Sequence, residues 1–124
     1  MISADYRFHG HGSLNYLFRN GSTAHGSRIL VRSVANRRRE TSRVSIIVSK
    51  KVAKSAVVRN RIRRRVYEVI RNHWDGVTPQ TDLAVTILSA DIAVLGAEEV
   101  ARLVVGALQQ AGVYRTDEKS DIVE

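Results

Sequence analysis

Val48-Ser49-Lys50-Lys51-Val52-Ala53-Lys54-Ser55-Ala56-Val57-Val58-Arg59-Asn60-Arg61-Ile62-Arg63-Arg64-Arg65 joins two periodicities in 18 residues. Toward its N-terminal side, Arg43 to Ser49 alternates. Val44, Ile46 and Val48 point one way and Ser45, Ile47 and Ser49 the other, which is the period of a β-strand. Toward its C-terminal side, Val58 to Trp74 follows the helical period, with Val58, Ile62, Val66, Val69, Ile70 and His73 inside an arc of about 120°. Arg61, Arg64, Arg65 and Arg71 occupy the opposite arc, and Arg59 and Arg63 flank the apolar one. A strand therefore delivers Lys50 and Lys51 at its end, a turn carries Lys54, and a helix opens with five Arg in seven residues.

The flanking sequence supplies the partners for this unit. Ser13 can cap a short helix from Leu14 to about Asn20, with Leu14, Leu17 and Phe18 on one face and Gly21 as its stop. Gly21 to Gly26 has the composition of a turn. Arg28 to Ala35 reads as a strand, Asn36 to Ser42 as a polar basic connection, and a β-hairpin is expected in this first half. Gly76 and Pro79 end the long helix, Thr81 to Leu88 reads as a further strand, and Ala97 to Ala111 as a last amphipathic helix stopped by Gly112. In that helix Val100, Leu103, Val104, Ala107, Leu108 and Ala111 point inward. The class is α+β, a single sheet with helices packed on it. Residues 1–12 are expected to form a flexible arm, 13–113 a single domain, and 114–124 an acidic tail.

At 124 residues the chain has the length of one domain. It contains no cysteine, which excludes disulfides, thiol nucleophiles and Cys-ligated zinc. No apolar run approaches the roughly 18 residues of a membrane span, and a cytoplasmic location is expected. The net charge is +8, and Ser49 to Asp75 carries nine Lys or Arg against two carboxylates. Seven of the eight excess charges thus sit in one strand-turn-helix unit, with a smaller basic knot at Arg37-Arg38-Arg39. Arginine forks match phosphate oxygens, and Asn60 can bond backbone or base. A bare charged face is the plain alternative. Against it, Glu68 is the only carboxylate on that helix, and like charges at i, i+4 such as Arg61 and Arg65 destabilise a helix unless a ligand compensates.

Catalytic chemistry borne by the protein finds little in the sequence. His9 and His11 could touch a metal, but no carboxylate nearby completes a site, and no metal site is expected in the protein. His73 falls on the buried face of the helix and reads as a satisfied core histidine, and Trp74 reads as packing. Glu98 and Glu99 suit the dipole at the start of the last helix. No Gly-rich phosphate loop precedes a helix.

Ser49-Lys50-Lys51-Val52 followed by Ala56-Val57-Val58-Arg59-Asn60-Arg61-Ile62-Arg63-Arg64 closely resembles the signature of the bacterial ribonuclease P protein subunit, and the likeness extends from the Leu14 helix to the Leu108 helix. The resemblance implies an α-β-β-β-α-β-α order, similar to ribosomal protein S5 domain 2, with a left-handed β-α-β crossover through the arginine helix. It implies a fourth short strand, placed within Lys50 to Ala56 or by a split of Arg43 to Lys51. It also implies a monomeric partner of a catalytic RNA in a 1:1 ribonucleoprotein. There the RNA, using Mg²⁺, removes the 5′ leader of precursor tRNA, and the protein carries no catalytic residue.

By match to the motif, Arg59, Asn60, Arg61, Arg63, Arg64 and Arg65 would face the RNA subunit, with Lys50, Lys51 and Lys54 extending that surface. The family's leader cleft, between the first helix and one sheet face, would involve Phe18, Leu14, Arg32, Ser45, Ile47 and Ser49, with Arg7 from the arm. The sequence departs from the pattern at two of these positions. Leu14 stands at the first aromatic position of the helix, and Arg32 stands where the strand often has an aromatic. Leu14 serves equally well as a core residue. Two other readings stay open: a structural RNA-binder of ribosomal-protein type, and, lower, a DNA-binding module without a paired helix-turn-helix.

Overall fold

The structure is a computed structural model that describes residues 11–115. The elements run α1 (His11–Asn20), β1 (Ser22–His25), β2 (Ile29–Ala35), β3 (Arg43–Val48), α2 (Ala56–Asn72), β4 (Thr81–Ile87) and α3 (Ala97–Gln110), with 3₁₀ turns at Trp74–Gly76 and Ala90–Ala93. This is the expected α-β-β-β-α-β-α order. Helix α1 begins at His11, and Tyr114 and Arg115 are bonded into the domain: Tyr114 bridges Val77, and the Arg115 amide donates to the Gly76 carbonyl at 2.9 Å. The rest of the expected arm and tail lies outside the described residues.

The single sheet has the order β1-β2-β4-β3. Strands β1 and β2 pair antiparallel, as do β2 and β4, whereas β3 and β4 are parallel. Parallel neighbours cannot be joined by a tight turn, so α2 supplies the crossover. This is the unit for which the resemblance implies a left hand.

One expectation about the strands is corrected here. The fourth strand is Ser22–His25, in the segment read as a turn, and not in or around Lys50 to Ala56. It gives no alternating signal because three of its four residues are exposed and the fourth is half-buried. Its pairing rests on the backbone of β2. The hairpin of the first half is accordingly β1–β2, because β4 inserts between β2 and β3. Local alternation fixes which way a side chain points and carries no information about which strand lies alongside.

Helices α2 and α3 cover one sheet face. Ile29 and Val31 of β2, Val44, Ile46 and Val48 of β3, and Leu83, Val85 and Ile87 of β4 meet Ile62, Val66 and Ile70 of α2 and Val100, Val104 and Leu108 of α3. Tyr67 is buried as well, although it lies outside the apolar arc; its hydroxyl accepts from the Ile46 amide at 3.4 Å, on the open edge of β3. His73 is half-buried, with Nδ1 2.8 Å from the Val69 carbonyl oxygen and its ring edge-on to Tyr114.

Helix α1 covers part of the other face, where fully buried Leu17 sits on Ala84 with Leu14, Val34 and Ile47 around them. Gly21 lets the helix end approach the sheet, since a Cβ there would lie 2.6 Å from the Leu17 carbonyl oxygen and 2.8 Å from that of Ser33. At the end of this face, Arg43 grips buried Asp82 with two bonds of 3.0 and 2.8 Å, and Asn36 Nδ2 donates to the same carboxylate at 2.9 Å.

Removing the carboxylate would leave a largely buried guanidinium without its charge partner. Asp82→Ala is expected to cost about 3–5 kcal/mol of stability. Urea unfolding measures it, and a loss below about 1 kcal/mol would contradict the pairing assigned to Asp82.

Candidate nucleic-acid interface

Ser55 starts α2 with extended backbone, and its Oγ accepts from the Val58 amide at 3.3 Å. The first turn holds no acidic residue, so the positive end of the helix dipole and the arginine run coincide. The preceding turn is closed by the Val52 and Ala53 amides donating to the Ser49 carbonyl at 3.1 and 3.3 Å. It presents Lys50, Lys51 and Lys54 exposed.

The arginines divide into two groups. Arg59 Nη1 donates to the Ala53 and Lys54 carbonyls at 2.9 and 2.8 Å, locking the lysine turn onto the helix. Arg63 bonds the side chain of Asn60. Arg65 Nη1 donates to the Ile92 carbonyl at 2.8 Å, tying α2 to the connection before α3, and is half-buried. Arg61 and Arg64 are exposed and have no hydrogen bond or ion pair among the described residues. Arg71, the last basic residue of the helix, pairs with Glu68, and that hydrogen bond holds the Glu68 carboxyl below its ordinary value. The structure thus brings Lys50, Lys51, Lys54, Arg61 and Arg64 to one solvated end as free cations. Arg65, expected on the free arc, is turned back into the fold because its position borders α3 rather than open solvent.

The second candidate region lies on the α1 side of the sheet. Register places Thr23, Arg32, Ala84 and Ser45 in one row across the four strands, and His25, Leu30, Thr86 and Ile47 in the next. Phe18 is exposed on α1, and the Arg32 guanidinium carbon lies 5.1 Å from its ring centroid, within cation–π range. Arg32 thus stacks on Phe18 and joins helix to sheet. Leu14 packs against the Leu17–Ala84 cluster with Ile47, which gives it a core role. Ser45 is buried in the floor, whereas Ser49 lies beyond the end of β3 and belongs to the lysine turn. Arg7 lies outside the described residues. Among the described residues, no group of three or more His, Asp or Glu is placed to hold a metal ion, and no helix is long and apolar enough to cross a membrane.

The geometry defines a small α+β domain whose cations gather where a strand hands over to a crossover helix. Comparison with known proteins places it more closely. The family model described as Ribonuclease P matches residues 2–112. The chain is similar to the ribonuclease P protein component of Roseiflexus castenholzii, with 37% identity over 97 residues that cover 78% of each chain. Its fold is similar to the RNase P protein of Staphylococcus aureus, with a TM-score of 0.79 at 22% identity, covering 89% of this chain and 98% of that one. It is also similar to the RNase P protein of Thermotoga maritima, with a TM-score of 0.75 at 20% identity over 84% and 96% of the two chains. The chain belongs to the ribonuclease P protein family.

The two arginine groups should separate in the free protein. Arg65→Met is expected to cost about 1.5–3 kcal/mol, the range for a hydrogen bond from a charged donor. Arg61→Gln and Arg64→Gln should change stability by no more than about 0.5 kcal/mol. Urea unfolding without RNA checks both. Equal losses at all three positions would contradict the division.

Proposed function

We propose that this protein is the RNA-binding partner in a ribonucleoprotein endonuclease that removes the 5′ leader of precursor tRNA. Lys50, Lys51, Lys54, Arg61 and Arg64 meet the phosphates of the ribonuclease P RNA. Arg59, Arg63 and Arg65 hold that surface in shape, and Asn60 fixes Arg63. The leader runs along the α1 side of the sheet, where Phe18 and Arg32 offer a stacking platform above the Ser45 and Ile47 floor. Hydrolysis belongs to the RNA and the Mg²⁺ it binds, with the protein in a 1:1 cytoplasmic assembly. The observation that carries this reading is the pair of free arginines, Arg61 and Arg64, beside three free lysines at a helix start that lacks any acidic residue. Such a surface is costly by itself and is stabilised by a polyanion.

Reconstitution with a bacterial ribonuclease P RNA at low Mg²⁺ tests it. Leader release from precursor tRNA should exceed that of the RNA alone, and Arg61→Glu/Arg64→Glu should abolish the stimulation by preventing assembly. Tight RNA binding without stimulation, across several such RNAs, would overturn the reading in favour of a structural RNA-binder.

A further inference from the structure

A groove of about 740 Å³ opens between α1 and the β2–β3 connection, outside the candidate surfaces described above. Gly12 and Tyr16 of α1 form one wall, and Val34, Asn36, Arg37 and Arg38 the other. Tyr16 is 57% exposed, so most of its ring is open to solvent. Arg37 and Arg38 are exposed and have no side-chain hydrogen bond or ion pair among the described residues. Asp82, the one carboxylate among the described residues that line the groove, is already neutralised by Arg43 and bonded by Asn36. Among the described residues that line it, the groove therefore presents a free aromatic face beside two free cations, with its carboxylate already paired.

The connection that carries the arginines is held in place. The Asn36 amide donates to the Gln80 carbonyl at 2.7 Å, and its Oδ1 accepts from the Arg38 amide at 3.3 Å. Ser42 donates to the Thr78 carbonyl and accepts from the Thr81 amide. A fixed loop offering cations lowers the ordering cost of an anionic ligand.

We propose that this groove is a second single-strand subsite for the precursor leader, taking one nucleotide with its base on Tyr16 and its phosphate on Arg37 and Arg38. The proposal rests on the leader reading given above. Aromatic faces beside cations are what single-stranded nucleic acid requires, since every base can stack and every phosphate can pair. The groove lies on the α1 side of the sheet: Val34 and Arg32 share that face of β2, and Val34 pairs with Asp82 one row beyond the Arg32–Ala84 row. The Phe18–Arg32 platform and Tyr16 lie on the same side of the sheet, on opposite flanks of α1, whereas α2 lies on the other face. That placement favours the leader over the RNA subunit as occupant.

The test uses the reconstituted ribonucleoprotein and equilibrium binding of two probes, a precursor tRNA with a leader of about ten nucleotides and the mature tRNA. Tyr16→Ala and Arg37→Gln/Arg38→Gln should each weaken precursor binding about five-fold or more, the loss of one stacked base or its phosphate contacts, and leave mature tRNA unchanged. Tyr16→Phe keeps the aromatic face and should keep the affinity. All these positions are exposed, so folding is not at issue. Phe18→Ala serves as the reference for the first platform. If Phe18→Ala weakens precursor binding and the groove variants do not, the second subsite is wrong and the leader reading stands. If the precursor binds no better than mature tRNA in the wild-type assembly, the leader reading itself fails. Groove variants that weaken assembly with the ribonuclease P RNA and leave the leader-dependent gain intact would overturn the choice of occupant.

Discussion

The burial of one stripe of α2 against a parallel strand pair is the constraint on which the surface chemistry depends. Ile62, Val66 and Ile70 have no exposure, and between them they fix the rotation of the helix over β3 and β4. Once that stripe is down, Arg61 and Arg64 must point to water, Arg59 reaches back to the turn, and Arg65 is drawn to the Ile92 carbonyl. No side chain has to select these roles individually. A helix rotated by one residue would exchange them, at the cost of burying guanidinium groups, which costs several kcal/mol apiece.

The electrostatics run against local stability at this same place. Arginines crowd the positive end of the helix dipole, with no carboxylate in the first turn to offset them. The fold tolerates this because the apolar stripe, rather than the helix itself, supplies the holding energy. Strand β3 links the two candidate surfaces directly. Its inward positions join the core under α2, its outward residues Ser45 and Ile47 floor the α1 side, and its end at Ser49 delivers the lysine turn. One six-residue strand thus sets the distance between the cationic surface and the Phe18–Arg32 platform.

Much of this was legible in the sequence because the strongest periodicities belong to the elements that bury the most. The α2 stripe and the alternation of β3 mark a strand followed by a helix, the resemblance alone implied that this helix is a crossover, and the absence of acidic partners marks its cationic face. Strand β1 left no mark because none of its side chains is fully buried, and the insertion of β4 between β2 and β3 was invisible because pairing is decided by tertiary packing. Residue type alone assigned all the arginines of the run to one task. Which of them are free depends on nearby carbonyls, at Ala53, Lys54 and Ile92, that no spacing rule encodes. The groove beside Tyr16 was hidden for a similar reason: its aromatic and its arginines are about twenty residues apart in sequence and meet only across the sheet end.

The claim that free cations on α2 and its lysine turn engage RNA phosphates is tested most directly by the salt dependence of binding to the ribonuclease P RNA. With about five phosphates neutralised, the log–log slope of affinity against salt should be near −4. Arg61→Gln/Arg64→Gln should make it shallower by about 1.5, whereas Arg65→Met should leave the slope unchanged. A slope unaltered by loss of Arg61 and Arg64, or altered equally by loss of Arg65, would contradict the account.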